Sequence, residues 1–71
     1  MPNYIVNRNG QAGSGDHEVH DLASSYNCLP HPENRVALGY YAYCSDAINA
    51  ARRYYSDSNG CRWCVPACHT T

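Results

Sequence analysis

Phenylalanine and lysine are both absent from this chain of 71 residues, and no apolar run approaches the length of a membrane span. That last absence argues against a transmembrane helix, which needs roughly 20 predominantly apolar residues. With no lysine, all five cations are arginine, and six acidic residues nearly balance them. So even a balance gives no field that would draw the chain to nucleic acid or anionic lipid. Seven tyrosines stand where phenylalanine does not, and a ring with a polar tip suits a thin domain whose core lies close to water. Residues Met1 to Asn9 lack the basic start and apolar run of a secretory signal, which makes a reducing cytoplasm the expected compartment.

Length is scarce as well. One domain is all that 71 residues allow, and a core this small barely offsets the conformational entropy of ordering the chain. Domains of this size recruit disulfides, a structural metal or oligomerisation. The sequence has soft ligands to supply that need, with five cysteines and four histidines. The segment Cys61-Arg62-Trp63-Cys64-Val65-Pro66-Ala67-Cys68-His69 holds three of those thiols and one imidazole. Cys61 and Cys64, two residues apart, can bite a single tetrahedral ion from one turn. The odd cysteine count leaves at least one thiol that cannot pair within the chain.

The pattern along the chain predicts an α+β fold: a small two- or three-stranded antiparallel sheet packed on one helix and stapled by metal or disulfide. Tyr4-Ile5-Val6 reads as a strand, closed by Asn7-Arg8-Asn9-Gly10, where the Asn-Gly step favours positive φ and a tight reversal. His17-Glu18-Val19-His20 reads as the returning strand, with His17 and Val19 on one face and Glu18 and His20 on the other. Residues Asp21 to Asn34 resist regular structure and leave Cys28 in a loop. Arg35 to Tyr40 reads as a third strand with Val36 and Leu38 inward. Ser45 as N-cap, Asp46 in the first turn and the apolar stripe Ala47, Ile48, Ala50, Ala51 predict a helix from about 45 to 55. Ser56 to Gly60 is expected to end it, with Gly60 in a left-handed turn leading into Cys61.

A Cys-x2-Cys pair needs two more ligands to close a site. Cys28, in its loop, is the natural third, and His20, at the end of the proposed hairpin, is the candidate fourth. His20, Cys28, Cys61 and Cys64 then give three thiolates and an imidazole, a set that zinc takes in closed structural sites and that iron also accepts. Cys44 and Cys68 remain as free thiols or a disulfide, while Cys68 or His69 could replace His20 in an alternative ligand set. Other chemistries fit less well. His17-Glu18-x-His20 spaces its histidines by three in a strand, not by four on a helix as a zinc protease does. No βαβ pattern surrounds Cys61 and Cys64 to support thiol redox catalysis. Cys44 or Cys68 with His69 is the one nucleophile and base pairing to name. Trp63 with Arg52, Arg53 and Arg62 could be read as a nucleic-acid patch; the reading preferred here has Trp63 packing over the metal and the arginines facing the end of the helix.

The segment from His20 to Cys64, with Cys28-Leu29-Pro30, Glu33-Asn34-Arg35-Val36, Asp46-Ala47 and Cys61-x2-Cys64, resembles the zinc-binding module of Ada-type DNA-repair regulators. The resemblance implies one structural zinc on His20, Cys28, Cys61 and Cys64. Here seven residues separate the first two ligands where the family has three, the helix is longer, and the basic surroundings of the Cys-x2-Cys shrink to Arg62. DNA binding and methyl transfer are therefore not carried over. Over nearly its whole length the chain also resembles small uncharacterised bacterial Cys/His-rich proteins, through Asn3 to Asn9, Gly15 to His20 and Gly60 to Thr70. The expected function is that of a non-catalytic structural zinc-binding domain presenting a surface to a protein partner, with neither nucleic acid nor membrane as a target. The alternative is a disulfide-stapled secreted or periplasmic protein without metal.

Overall fold

Tyr4, Ile5 and Val6 are three buried residues in a row. They form the centre of strand β1 (Asn3–Asn7) in the computed structural model, which describes residues 1–70. The other elements are strand β2 (His17–Asp21), strand β3 (Arg35–Tyr40), helix α1 (Cys44–Ala51) and strand β4 (Ser58–Gly60), with short 3-10 turns at Pro32–Asn34 and Pro66–Cys68. The strands make one sheet in the order β3-β1-β2-β4. β1 is antiparallel to both its neighbours, and β4 runs parallel to β2. β3 and β4 therefore point the same way at opposite edges. α1 supplies the long crossover between them, since no tight turn can return a chain to the end it left.

Alternation along β2 sorts its side chains as the sequence predicts. Val19 enters a core with Tyr4, Val6, Ala47, Ile48, Ala51 and Val65, while Glu18 and His20 approach one another on the opposite face. Val36 and Leu38 of β3 pack against the same core.

Three expectations need correction. The sheet has four strands and is mixed, not two or three antiparallel strands. Nothing in Ser58-Asn59-Gly60 marks a strand, for it has no β-branched or aromatic residue. Its pairing comes from tertiary hydrogen bonds that bracket it, His17 N–H to the Asp57 carbonyl at 2.7 Å and Cys61 N–H to the Val19 carbonyl at 2.8 Å. The helix is shorter than 45–55. It starts from Tyr43 as N-cap, two positions before Ser45, with Cys44 tied at its first turn by a disulfide. It stops at Ala51, where the last turn tightens to i−3 bonding, Arg53 N–H to the Ala50 carbonyl at 3.2 Å and Tyr54 N–H to the Ala51 carbonyl at 2.9 Å; beyond it Tyr55 stacks on His17, ring centroids 3.8 Å apart.

The glycines also play other parts than expected. Neither Gly10 nor Gly60 is among the glycines with positive φ. Gly10 lies against Gly15, whose carbonyl oxygen would be 2.8 Å from an added Cβ. At Gly60 a Cβ would lie 2.9 Å from the carbonyl carbon and oxygen of Cys68 and from the Val65 oxygen. The terminal segment is thus free to lie against β4, where the Asn59 side chain accepts the Thr70 N–H at 2.9 Å and donates to the Thr70 carbonyl. Gly60→Ala is expected to cost about 2 kcal/mol, as overpacking against backbone does, read as a lowered midpoint in thermal unfolding.

Candidate metal centre

Four side chains from three parts of the chain meet beside the sheet. His20 is delivered by β2 on the face opposite Val19. Cys61 follows β4 directly, and the register that sets Val19 opposite Gly60 brings it level with His20. The next turn closes with Val65 N–H bonded to the Cys61 carbonyl at 3.0 Å, which returns Cys64 to the same place. Cys28 comes from the loop after β2. That loop is shaped by Asp21, whose side chain accepts the Ala23 N–H at 3.0 Å, and by Asn27 at φ 56°, a left-handed position that asparagine tolerates. Arg35 anchors its far side, donating from Nε to the Pro30 carbonyl at 2.8 Å.

One nitrogen and three sulfurs then lie within 4.8 Å of one another, a span that a single ion could bridge. The Nδ1 of His20 is 3.5 Å from the Cys64 sulfur. Its Nε2 faces the Glu18 carboxylate at 3.7 Å. A carboxylate behind a ligating imidazole fixes the ring and its tautomer. Backbone amides donate to two of the sulfurs, Asp21 N–H to Cys64 and Trp63 N–H to Cys61, each at 3.4 Å. The Ser24 hydroxyl lies 3.7 Å from the Cys28 sulfur.

The electrostatics describe a buried pocket in which charge on its own members is disfavoured. His20 and Cys61 are each only 1% exposed. Burial above all pushes the Cys64 thiol up to about 12, against the lowering effect of the Asp21 N–H, and burial likewise raises Cys61. Burial first, then the charge of Arg35, holds His20 below the ordinary histidine value, so the ring stays in the neutral form that binds metals. A divalent cation would supply the charge that three clustered thiolates require. The donor set fits zinc, whose structural sites take four such ligands tetrahedrally. Ligation by three cysteines displaces their protons, so each ion bound near pH 7 is expected to release about three protons, and affinity is expected to fall as pH falls. Calorimetric titration in buffers of different ionisation enthalpy measures that number.

The remaining sequence candidates lie elsewhere. Cys44 and Cys68 form a disulfide with Cα atoms 6.2 Å apart, while Cys28, Cys61 and Cys64 are free thiols. Cys68 is therefore no alternative ligand, and the pairing of either cysteine with His69 has lost its nucleophile. His69 stands outside the cluster, its Nδ1 2.9 Å from the Gly60 carbonyl. Trp63 does not cover the metal site as expected: it is 58% exposed, with the Arg62 guanidinium 5.3 Å from its ring centroid. In the turn, its backbone amide serves Cys61 while its side chain points outward. Glu18 is the residue that sequence reasoning passed over. Its signal was present, since position i−2 on a strand shares a face with His20.

Comparison with protein-family models, characterised proteins and solved structures finds no match to this chain. The arrangement of the four ligand atoms is accordingly the chief guide to function.

Proposed function

We propose that this chain is a small non-catalytic domain folded around one structural zinc ion, held by His20, Cys28, Cys61 and Cys64, and that it presents a surface to a protein partner. The observation that carries this reading is the convergence of one imidazole nitrogen and three sulfurs within 4.8 Å. The N–H···S bonds around them lend further support, and the Glu18 carboxylate stands 3.7 Å behind the ring. Four protein ligands would fill a tetrahedral ion and leave no position for an activated water, which is why the role assigned is structural. The Ada-type resemblance assigns the same four positions; methyl transfer and DNA binding form no part of the proposal.

The disulfide supports a second reading, a stapled domain of an oxidising compartment such as the periplasm or the exterior. It is compatible with zinc, because the two staples use different cysteines. Among the described residues no helix is long and apolar enough to cross a membrane. Intact mass under native and denaturing conditions separates the readings. Zinc together with the Cys44–Cys68 bond gives one bound ion under native conditions and, after denaturation, a loss of two hydrogens. A second disulfide drawn from the three free thiols, with no ion, would overturn the zinc reading.

A further inference from the structure

The two edges of the sheet are finished differently. At β4 the terminal segment lies alongside, tied through Asn59 and Thr70. β3 pairs with β1 on one side, and among the described residues no strand or terminal segment pairs with its outer side. The usual protections of an open edge are missing there, for Val36-Ala37-Leu38-Gly39 holds neither proline nor any charge.

The register shows which backbone groups face outward. Arg8 N–H bonds the Asn34 carbonyl at 2.8 Å, one step outside the Asn7 and Arg35 pair. That pair is therefore one without direct hydrogen bonds, and the next, Val6 with Val36, is one with them. Alternation then turns the Ala37 N–H and carbonyl away from β1. Arg35 N–H is already given to the Pro32 carbonyl. Beyond Leu38 the register shifts and Gly39 takes φ 105°, so the regular edge is short and centred on Ala37.

This edge is complementary to itself. Antiparallel pairing of two copies about Ala37 lets the two alanines exchange both N–H···O bonds. It sets Val36 opposite Leu38 of the second copy and Leu38 opposite its Val36, joining apolar side chains that are only half-buried in one chain. Arg35, the one charge on the strand, falls opposite Gly39 and meets no like charge. A register centred on Val36 would instead set Leu38 against Asn34. We propose that two copies of this chain associate through β3 about a two-fold axis at Ala37, making one continuous eight-stranded sheet. A stable dimer buries roughly 1,200 Å² or more, so so short an edge gives a weak, concentration-dependent one.

Sedimentation equilibrium from about 10 µM to about 1 mM protein, with zinc content measured on the same samples, tests the pairing. The mean mass is expected to rise with concentration from 7.9 kDa towards twice that value. Ala37 is exposed and lies outside the ligand cluster, so Ala37→Lys and Ala37→Glu are expected to fold and to keep their zinc. Each places two like charges directly opposite one another, which is expected to weaken association about fivefold. An equimolar mixture of the two places unlike charges there and is expected to regain the association that each has lost. A wild-type mass fixed at 7.9 kDa throughout would overturn the proposal and leave the edge to a strand of a different protein. So would variants that associate as tightly as wild type, or a mixture no tighter than its components. If the protein holds no ion yet dimerises with the same dependence on residue 37, the pairing stands and the zinc reading fails.

Discussion

Cys61→Ser is expected to abolish stoichiometric zinc binding and to leave a chain without cooperative thermal unfolding. A structural zinc site contributes on the order of 10 to 16 kcal/mol in small domains at neutral pH. A core of this size supplies only about 3 to 5 kcal/mol, so a chain without its ion stands near the edge of stability. Cys61 is also a core residue at 1% exposure, and a buried serine costs about 1 to 3 kcal/mol for its hydroxyl alone. Cys28→Ser separates the two effects. Cys28 is only half-buried in a loop at the margin of the core, and its loss is expected to remove the ion with little change in core packing. Melting each protein with and without equimolar zinc checks this. The wild-type midpoint rises strongly with zinc, and neither variant responds.

Removing the second staple is expected to have a smaller and separable effect. The double substitution Cys44→Ser, Cys68→Ser opens a link across 24 positions of sequence, and the chain-entropy relation gives a loss of about 3.5 kcal/mol for a loop of that length. In a domain of this size that corresponds to a fall of roughly 14 to 28 °C in Tm. The disulfide holds the first turn of α1 to the 3-10 turn Pro66–Cys68, whereas the metal candidates link β2, its following loop and the turn after β4. Because no cysteine is shared, the variant is expected to keep one zinc per chain while melting lower. Differential scanning calorimetry of the zinc-loaded protein, with metal analysis on the same sample, measures both quantities.

Much of this site is legible in the sequence because its parts are local signals. A Cys-x2-Cys step positions two sulfurs without knowledge of the fold. Alternation in His17-Glu18-Val19-His20 puts His20 on the face away from Val19, and the β1–β2 hairpin follows from Tyr4-Ile5-Val6 and its returning partner. What escapes depends on contacts distant in the chain. β4 is a strand only because β2 and the terminal segment bracket it. Gly60 is needed for the approach of Cys68, 8 positions later, and not for its own backbone angle. The helix begins at a cysteine held by a disulfide and ends where Arg53 and Tyr54 turn to i−3 bonding, neither of which a capping pattern records. Trp63 reads as a cover for the ion from its place between two cysteines, yet the turn that lends its amide to Cys61 turns its ring to solvent.

The central claim is that one zinc ion binds these four residues. X-ray absorption at the zinc edge of the stoichiometrically loaded protein tests it most directly. The account predicts three sulfurs at about 2.3 Å and one nitrogen at about 2.0 Å; a shell of two sulfurs, four sulfurs or oxygen and nitrogen alone would contradict it.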